Sequence, residues 1–184
     1  MLHVDRIRRR RQRGVLVLSV VLALVGSTLA ASPAFATHQG TAGSGRLYTP
    51  NWSVCNAGAS AGVSGTNWAI GQINPTDVNA SVVGCPGSWN VSVNSVSYPE
   101  TWYGATSCFT AVQNGVCGSG KGVKLNTRTL TTTQQWQKTA LHELGHVAGL
   151  GHRTVDTSVM ASGASPPVSQ YLDQHDRDSI NASY

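Results

Sequence analysis

Charge is scarce in this 184-residue chain: Asp, Glu, Lys and Arg together make up 11% of it, and glutamate occurs only twice, at Glu100 and Glu143. With 40% hydrophobic residues, the chain does not have the high-charge, low-apolar composition that keeps segments disordered. Long apolar runs are missing too. The longest, Val15 to Val25, is interrupted by Ser19 and falls short of the roughly 20 residues needed to cross a bilayer. No repeat of 20–50 residues is present, which excludes solenoids and propellers. Basic residues are concentrated at the start: residues 1–13 hold six arginines and one aspartate, so totals of 13 basic and 8 acidic residues fall to 7 and 7 afterwards. The high pI therefore belongs to the first stretch, and a nucleic-acid partner, which needs a basic patch, is not expected.

The first 36 residues carry an export pattern: the arginine cluster, the short apolar run, small residues, and Ala34-Phe35-Ala36 as an A-x-A site. Cleavage is expected before Thr37. The remaining 148 residues (37–184) suit a single domain, secreted, monomeric and without stable membrane association once the signal is gone. All four cysteines follow the cleavage point. An even count in an oxidising compartment reads as two disulfides, for which three pairings exist. Cys108 and Cys117 would close a short loop around Asn114-Gly115, which favours Cys108–Cys117 with Cys55–Cys85 as the other bond. Cysteine metal ligation has poor spacing.

Residues 139–160 read TALHELGHVAGLGHRTVDTSVM, and the chemistry concentrates there. His142, Glu143, His146, Gly149 and His152 form H-E-x-x-H-x-x-G-x-x-H. At about 100° per helical residue, His142 and His146 lie about 40° apart on one face. Their nitrogens can reach one ion, and Glu143, about 60° round from His146, can address a water on it. Gly149 can adopt the left-handed conformation that ends a helix and lets a loop deliver His152. Three imidazoles leave a fourth zinc position open, as catalysis needs, whereas a purely structural site closes it with another protein ligand. By composition this spacing arises by chance about once in 10⁵ chains of this length.

HELGHVAGLGH, with Met160 in SVM eight residues after His152, resembles the metzincin zinc peptidases and, within them, the matrixin branch. An astacin-like chain would carry an acid directly after the third histidine; here Arg153 follows. The likeness covers about 123–184. It implies an α+β, zincin-like fold, with a twisted mixed β-sheet, an active-site helix and a C-terminal helix. It also implies one catalytic Zn2+ on His142, His146 and His152, Glu143 as general base, Met160 in a tight apolar turn beneath the histidines, and protein or peptide substrates. The segment after that turn, residues 161–171, would wall the pocket for the side chain following the scissile bond. Ala161-Ser162-Gly163 departs from the aromatic or proline usual in the family. No propeptide cysteine switch is expected. Ca2+ has no acidic loop to support it and would need backbone oxygens, since residues 37–141 hold only His38, Asp77 and Glu100 as histidine or acid.

For the scaffold, alternating patterns predict strands over 77–83 and 89–96, with further strands over 103–111 and 122–126. The second-last of these, 103–111, is the expected substrate-binding edge. Residues 118–122 are expected to be a loop, and 67–73 a short helix. Thr131 with Gln134, or Thr132 with Gln135, can form a capping box for the active helix. Trp136, Ala140, Leu144 and Val147 then face the core. Ser169 is expected to cap a last helix reaching Ser183, with His175, Asp173, Asp176 and Asp178 on a solvated face. The rival functional classes are a secreted zinc-stabilised module that binds protein or cell wall without cutting, which has no use for Glu143, and a zinc amidase acting on wall peptides.

Overall fold

The computed structural model describes residues 44–154, 157–163 and 169–184, all within the unit Phe35–Tyr184. The expected export signal and Pro166-Pro167 lie outside the described residues. Along the chain come β1 (Arg46–Leu47), β2 (Asn51–Gly58), α1 (Ser60–Ile73), β3 (Asn79–Val83), β4 (Val91–Val96), β5 (Gly104–Cys108), β6 (Val116–Cys117), β7 (Lys121–Asn126), α2 (Thr133–Val147) and α3 (Gln174–Asn181). Five strands form one sheet in the order β3-β2-β4-β7-β5. The first four run parallel, and β5 is antiparallel to β7 at the edge. The architecture is α+β with a mixed sheet, an active-site helix and a C-terminal helix. Disulfides join Cys55 to Cys85 and Cys108 to Cys117.

Alternation along β4 and β7 buries Val91, Val93, Val123 and Leu125 in one core with Ala140, Leu141 and Leu144 of α2, because successive side chains leave a strand on opposite faces. Trp136 joins the same core. Helix α1 begins seven residues before the expected 67, at Ser60. Its early glycines are a contact surface instead of a break: a Cβ on Gly62 would lie 2.0 Å from Ser95 Oγ, and one on Gly65 would lie 3.1 Å from the Trp136 backbone. Glycine let α1 approach both β4 and α2, and that tertiary gain outweighed its poor helix propensity.

Helix α2 starts on the second of the two caps considered. Gln135 N–H donates to Thr132 Oγ1 (3.2 Å) and Thr132 N–H to Gln135 Oε1 (3.2 Å). The last helix is shorter than expected and capped elsewhere. Asp173 and Asp176 form a reciprocal box, with Asp176 N–H donating to Asp173 Oδ1 (2.8 Å) and Asp173 N–H to Asp176 Oδ2 (3.3 Å). Ser169 instead closes a local turn with Tyr171. Asp176 is not solvated but fully buried, which corrects the reading of that face. Lys121, expected in a loop, is the first residue of β7 and is also fully buried.

Candidate active site

Helix α2 presents His142 and His146 one turn apart. Its end is a Schellman motif: Gly149 N–H donates to His146 O (3.1 Å) and Leu150 N–H to Gly145 O (2.9 Å), with Gly149 at φ 95°. Buried Lys121 adds a cation at the same terminus, its Nζ donating to His146 O (2.6 Å), to Ser44 Oγ (3.1 Å) and to Gly45 O; cations suit the negative end of a helix. Burial lowers the Lys121 pKa to about 7. The chain then turns back and brings His152 to the other two histidines.

The three Nε2 atoms converge. His152 Nε2 lies 3.2 Å from His146 Nε2 and 3.2 Å from His142 Nε2. Two nitrogens each about 2.0–2.1 Å from one tetrahedral ion stand about 3.3 Å apart, so the spacing fits zinc. Proton placement supports the same reading. His142 Nδ1 faces Val159 O at 2.8 Å and His146 Nδ1 faces Leu150 O at 2.6 Å. Each Nδ1 therefore carries the hydrogen, and each Nε2 offers a bare lone pair. Lone pairs that point at one another repel unless a cation sits between them. Burial lowers His142 well below its ordinary pKa, helped by Lys138 and His146, and lowers His146 to about 4. Both are held neutral, as metal ligation requires.

Glu143 faces the edge strand, not the histidine nitrogens. Thr106 Oγ1 donates to Glu143 Oε2 at 2.7 Å. Gly104 of β5 makes room: a Cβ there would lie 2.6 Å from Glu143 Oε1. Burial raises the Glu143 pKa to about 7, against the opposing hydrogen bond from Thr106 and the charge of Lys138. Glu143 and the histidines line a cleft of about 1040 Å³, together with β5 residues Gly104 and Thr106.

Below the site lies a tight turn, 158–161. Met160 is fully buried, and its Sδ lies 2.4 Å from where a Cβ on Gly145 would be. The third residue of H-E-L-G-H after the first histidine is thus glycine because the methionine turn nests against α2. Three successive carbonyls of the turn hold the surroundings: Val159 O accepts from His142, Met160 O from the Arg153 amide (3.0 Å), and Ala161 O from Lys138 Nζ (2.7 Å). Arg153 reaches on to Asp173 (2.5 Å) and Asp176 (3.0 Å), tying the His152 loop to α3.

The residues singled out in the motif come together: His142, Glu143, His146, His152 and Met160 form one site. His175 lies in α3, away from the cluster of ligand atoms. Lys138, Thr106 and the buried Arg153–Asp176 pair were not foreseen. Lys138 had a readable signal, since it stands four residues before His142 on the same helical face. Thr106 had none, because only sheet pairing brings β5 against α2.

Two helical histidines, a third delivered past a glycine-closed turn, and a methionine turn beneath them define a metzincin-type site on a metzincin fold. The chain belongs to the matrixin family, whose sequence model matches residues 59–184, further upstream than the 123–184 carried by the motifs. The fold is similar to the crystal structures of archaemetzincin from Methanopyrus kandleri and of myroilysin. The first has a TM-score of 0.55 and 14% identity, covering 74% of this chain and 97% of that one. The second has a TM-score of 0.53 and 12% identity, covering 77% and 86%. No curated protein sequence matched the chain. At the level of the family, metallopeptidase chemistry, zinc, and protein or peptide substrates come with membership.

Proposed function

We propose that this protein is a secreted, zinc-dependent endopeptidase in which His142, His146 and His152 hold the ion and Glu143 is the general base. The observation that carries the reading is the convergence of three Nε2 atoms, two of them left bare by Nδ1–carbonyl hydrogen bonds, beside a buried carboxylate that is not itself in the ligand set. A zinc ion bound there supplies Lewis acidity, polarising the scissile carbonyl and lowering the pKa of water toward neutrality.

The chain's own groups do the rest. Thr106 occupies Oε2 of Glu143, which leaves Oε1 to take a proton from the attacking water and later give it to the departing amine. A pKa near 7 suits a group that must both accept and release a proton at neutral pH. No covalent acyl-enzyme is needed. The outer edge of β5 pairs with no other strand among the described residues, and β5 lines the cleft. An extended peptide can therefore add there as a further strand, held by backbone hydrogen bonds. Export is supported by the arginine-rich, A-x-A-bearing segment 1–36 and by two disulfides, which persist in oxidising compartments.

The test compares zinc-loaded protein with Glu143→Gln and with chelated protein on an unfolded protein substrate. Loss of a general base should lower kcat by about 10² to 10⁴-fold, with zinc content unchanged in the variant. Equal cleavage by wild type and variant, or none by either at full zinc loading, would favour a binding module instead. Cleavage of wall peptide alone would favour an amidase.

A further inference from the structure

Among the described residues lining the cleft, Lys138 is a cation that the proposed hydrolysis does not use. It is 3% exposed. Its Nζ donates to Ala161 O at 2.7 Å and stands 3.4 Å from His142 Nδ1. That imidazole nitrogen already carries the hydrogen it donates to Val159 O, so it cannot also accept from the ammonium. Of three N–H donors, one is satisfied by a carbonyl. Glu143 acts on it through space, but the close ion pairs among the described residues belong to Arg153.

An ammonium taken out of water is costly unless it is paired and hydrogen-bonded. The remaining donors therefore call for an acceptor from the cleft, ideally an anionic one. Position narrows which part of a ligand that is. Nζ lies on the Nδ1 side of the His142 ring, opposite its converging Nε2, so it stands outside the set of ligand atoms. It adjoins the Ala161–Gly163 side of the cleft, where a neighbouring side chain of a bound peptide would be received.

We infer that Lys138 is a specificity-determining residue that selects peptides carrying a carboxylate side chain, Asp or Glu, in the position flanking the scissile bond on the Lys138 side. The inference rests on the peptidase reading and deepens it. A carboxylate brings a negative charge to hydrogen-bond distance together with two acceptor oxygens. A leucine there would cover the ammonium and leave its donors unmet, and a lysine would meet like charge. The expected order is Glu and Asp, then Gln, then Leu, with Lys last.

The experiment uses one peptide frame, extended and amidated so that no chain-terminal carboxylate competes, varied at the two positions flanking the cleaved bond. The wild-type, zinc-loaded protein should cleave the Glu or Asp peptides about 10- to 100-fold better in kcat/KM than the Leu peptide at one of those positions. Lys138→Gln should bring that ratio to within a few-fold of one, and Lys138→Met should turn it toward Leu. A second measurement needs no turnover: fluorescence polarisation of the Glu and Leu peptides on metal-free Glu143→Gln protein. The Glu peptide should bind about tenfold tighter, and the difference should vanish in Lys138→Gln/Glu143→Gln.

Cleavage of the Leu peptide as well as or better than the acidic ones would overturn this inference while leaving the peptidase reading intact. So would a preference for acid that survives both Lys138 substitutions. Cleavage of no peptide would overturn the peptidase reading, and the polarisation comparison would still decide on Lys138, with equal binding of the two peptides counting against it.

Discussion

Replacing Arg153 by Met tests how the third histidine is held. Arg153 follows His152, its side chain is 12% exposed, and it meets Asp176, which is fully buried, and Asp173, whose side chain is 40% exposed. Removing one partner of a buried pair costs about 3–5 kcal/mol, whereas an exposed pair contributes under about 1 kcal/mol. Here Asp176 would keep Ser158 Oγ (3.3 Å) and the Asp173 amide (3.3 Å) but lose the guanidinium. Methionine retains much of the apolar packing, so the loss should be about 2–4 kcal/mol. For a chain of this size that is a fall in Tm of about 5–15 °C. Burial raises the pKa of Asp176, so Asp176→Asn removes a costly charge, and the double variant Arg153→Met/Asp176→Asn should recover at least about 1 kcal/mol beyond additivity. Differential scanning calorimetry and a double-mutant cycle read both quantities. Competition against a chelator should show zinc affinity about tenfold weaker in Arg153→Met. A variant melting within about 2 °C of wild type, with no coupling to Asp176, would refute the clamp.

Gly104→Ala places a Cβ against Glu143 Oε1 and 2.8 Å from Thr139 Cγ2, so kcat should drop about 10²-fold while metal analysis finds zinc retained; undiminished turnover would mean that β5 does not position the carboxylate. The pH dependence of metal-free stability sets the three histidines against Glu143. His146, lowered from 6.5 to about 4, gives stability that is present above 6.5 and lost as pH falls toward 4, on the order of 3 kcal/mol. Glu143, raised from 4.5 to about 7, gives stability that is present below 4.5 and lost as pH rises through about 7. His142 and His152, also lowered by burial, act in the same direction as His146, so denaturant midpoints of metal-free wild type should fall as pH decreases from 7 to 4.5, and those of Glu143→Gln, without the opposing carboxyl, should fall more steeply; superimposable profiles would reject the assignment.

The histidine cluster was legible because it is local. Eleven residues of one helix and its exit, from His142 to His152, fix the ligand geometry through helical period and one left-handed glycine, and both are written in sequence spacing. Two strands, β3 and β4, were also legible from alternation, and β5 and β7 fall within the two further stretches expected to be strands, with β7 beginning one residue earlier. What could not be read depends on partners far along the chain. The glycines of α1 read as breakers until β4 and Trp136 are placed against them. Asp176 read as solvated until Arg153, 23 residues earlier, reached it. Ser169 and Asp173 were both fair caps by type, and the reciprocal box with Asp176 decided between them. Thr106 is an ordinary strand threonine until sheet order sets β5 beside α2.

The turn beneath the histidines separates two roles that one methionine could hide. Its backbone carbonyls, from Val159, Met160 and Ala161, hold His142, the Arg153 amide and Lys138. The Met160 side chain supplies volume against Gly145. If backbone placement is what matters, Met160→Leu, a near volume-conserving exchange, should cost under about 1.5 kcal/mol and leave zinc affinity and kcat within a few-fold of wild type. Gly145→Ala should be the worse of the two, although alanine favours helix by about 1 kcal/mol over glycine. Its Cβ would overlap Met160 Sδ, and either the turn or α2 must shift, moving the carbonyl that sets the His142 tautomer. We expect Gly145→Ala to lose at least about tenfold in zinc affinity with helix content preserved by circular dichroism. If Met160→Leu proved as damaging as Gly145→Ala, the sulfur itself, rather than the backbone that it steadies, would be the functional part of the turn.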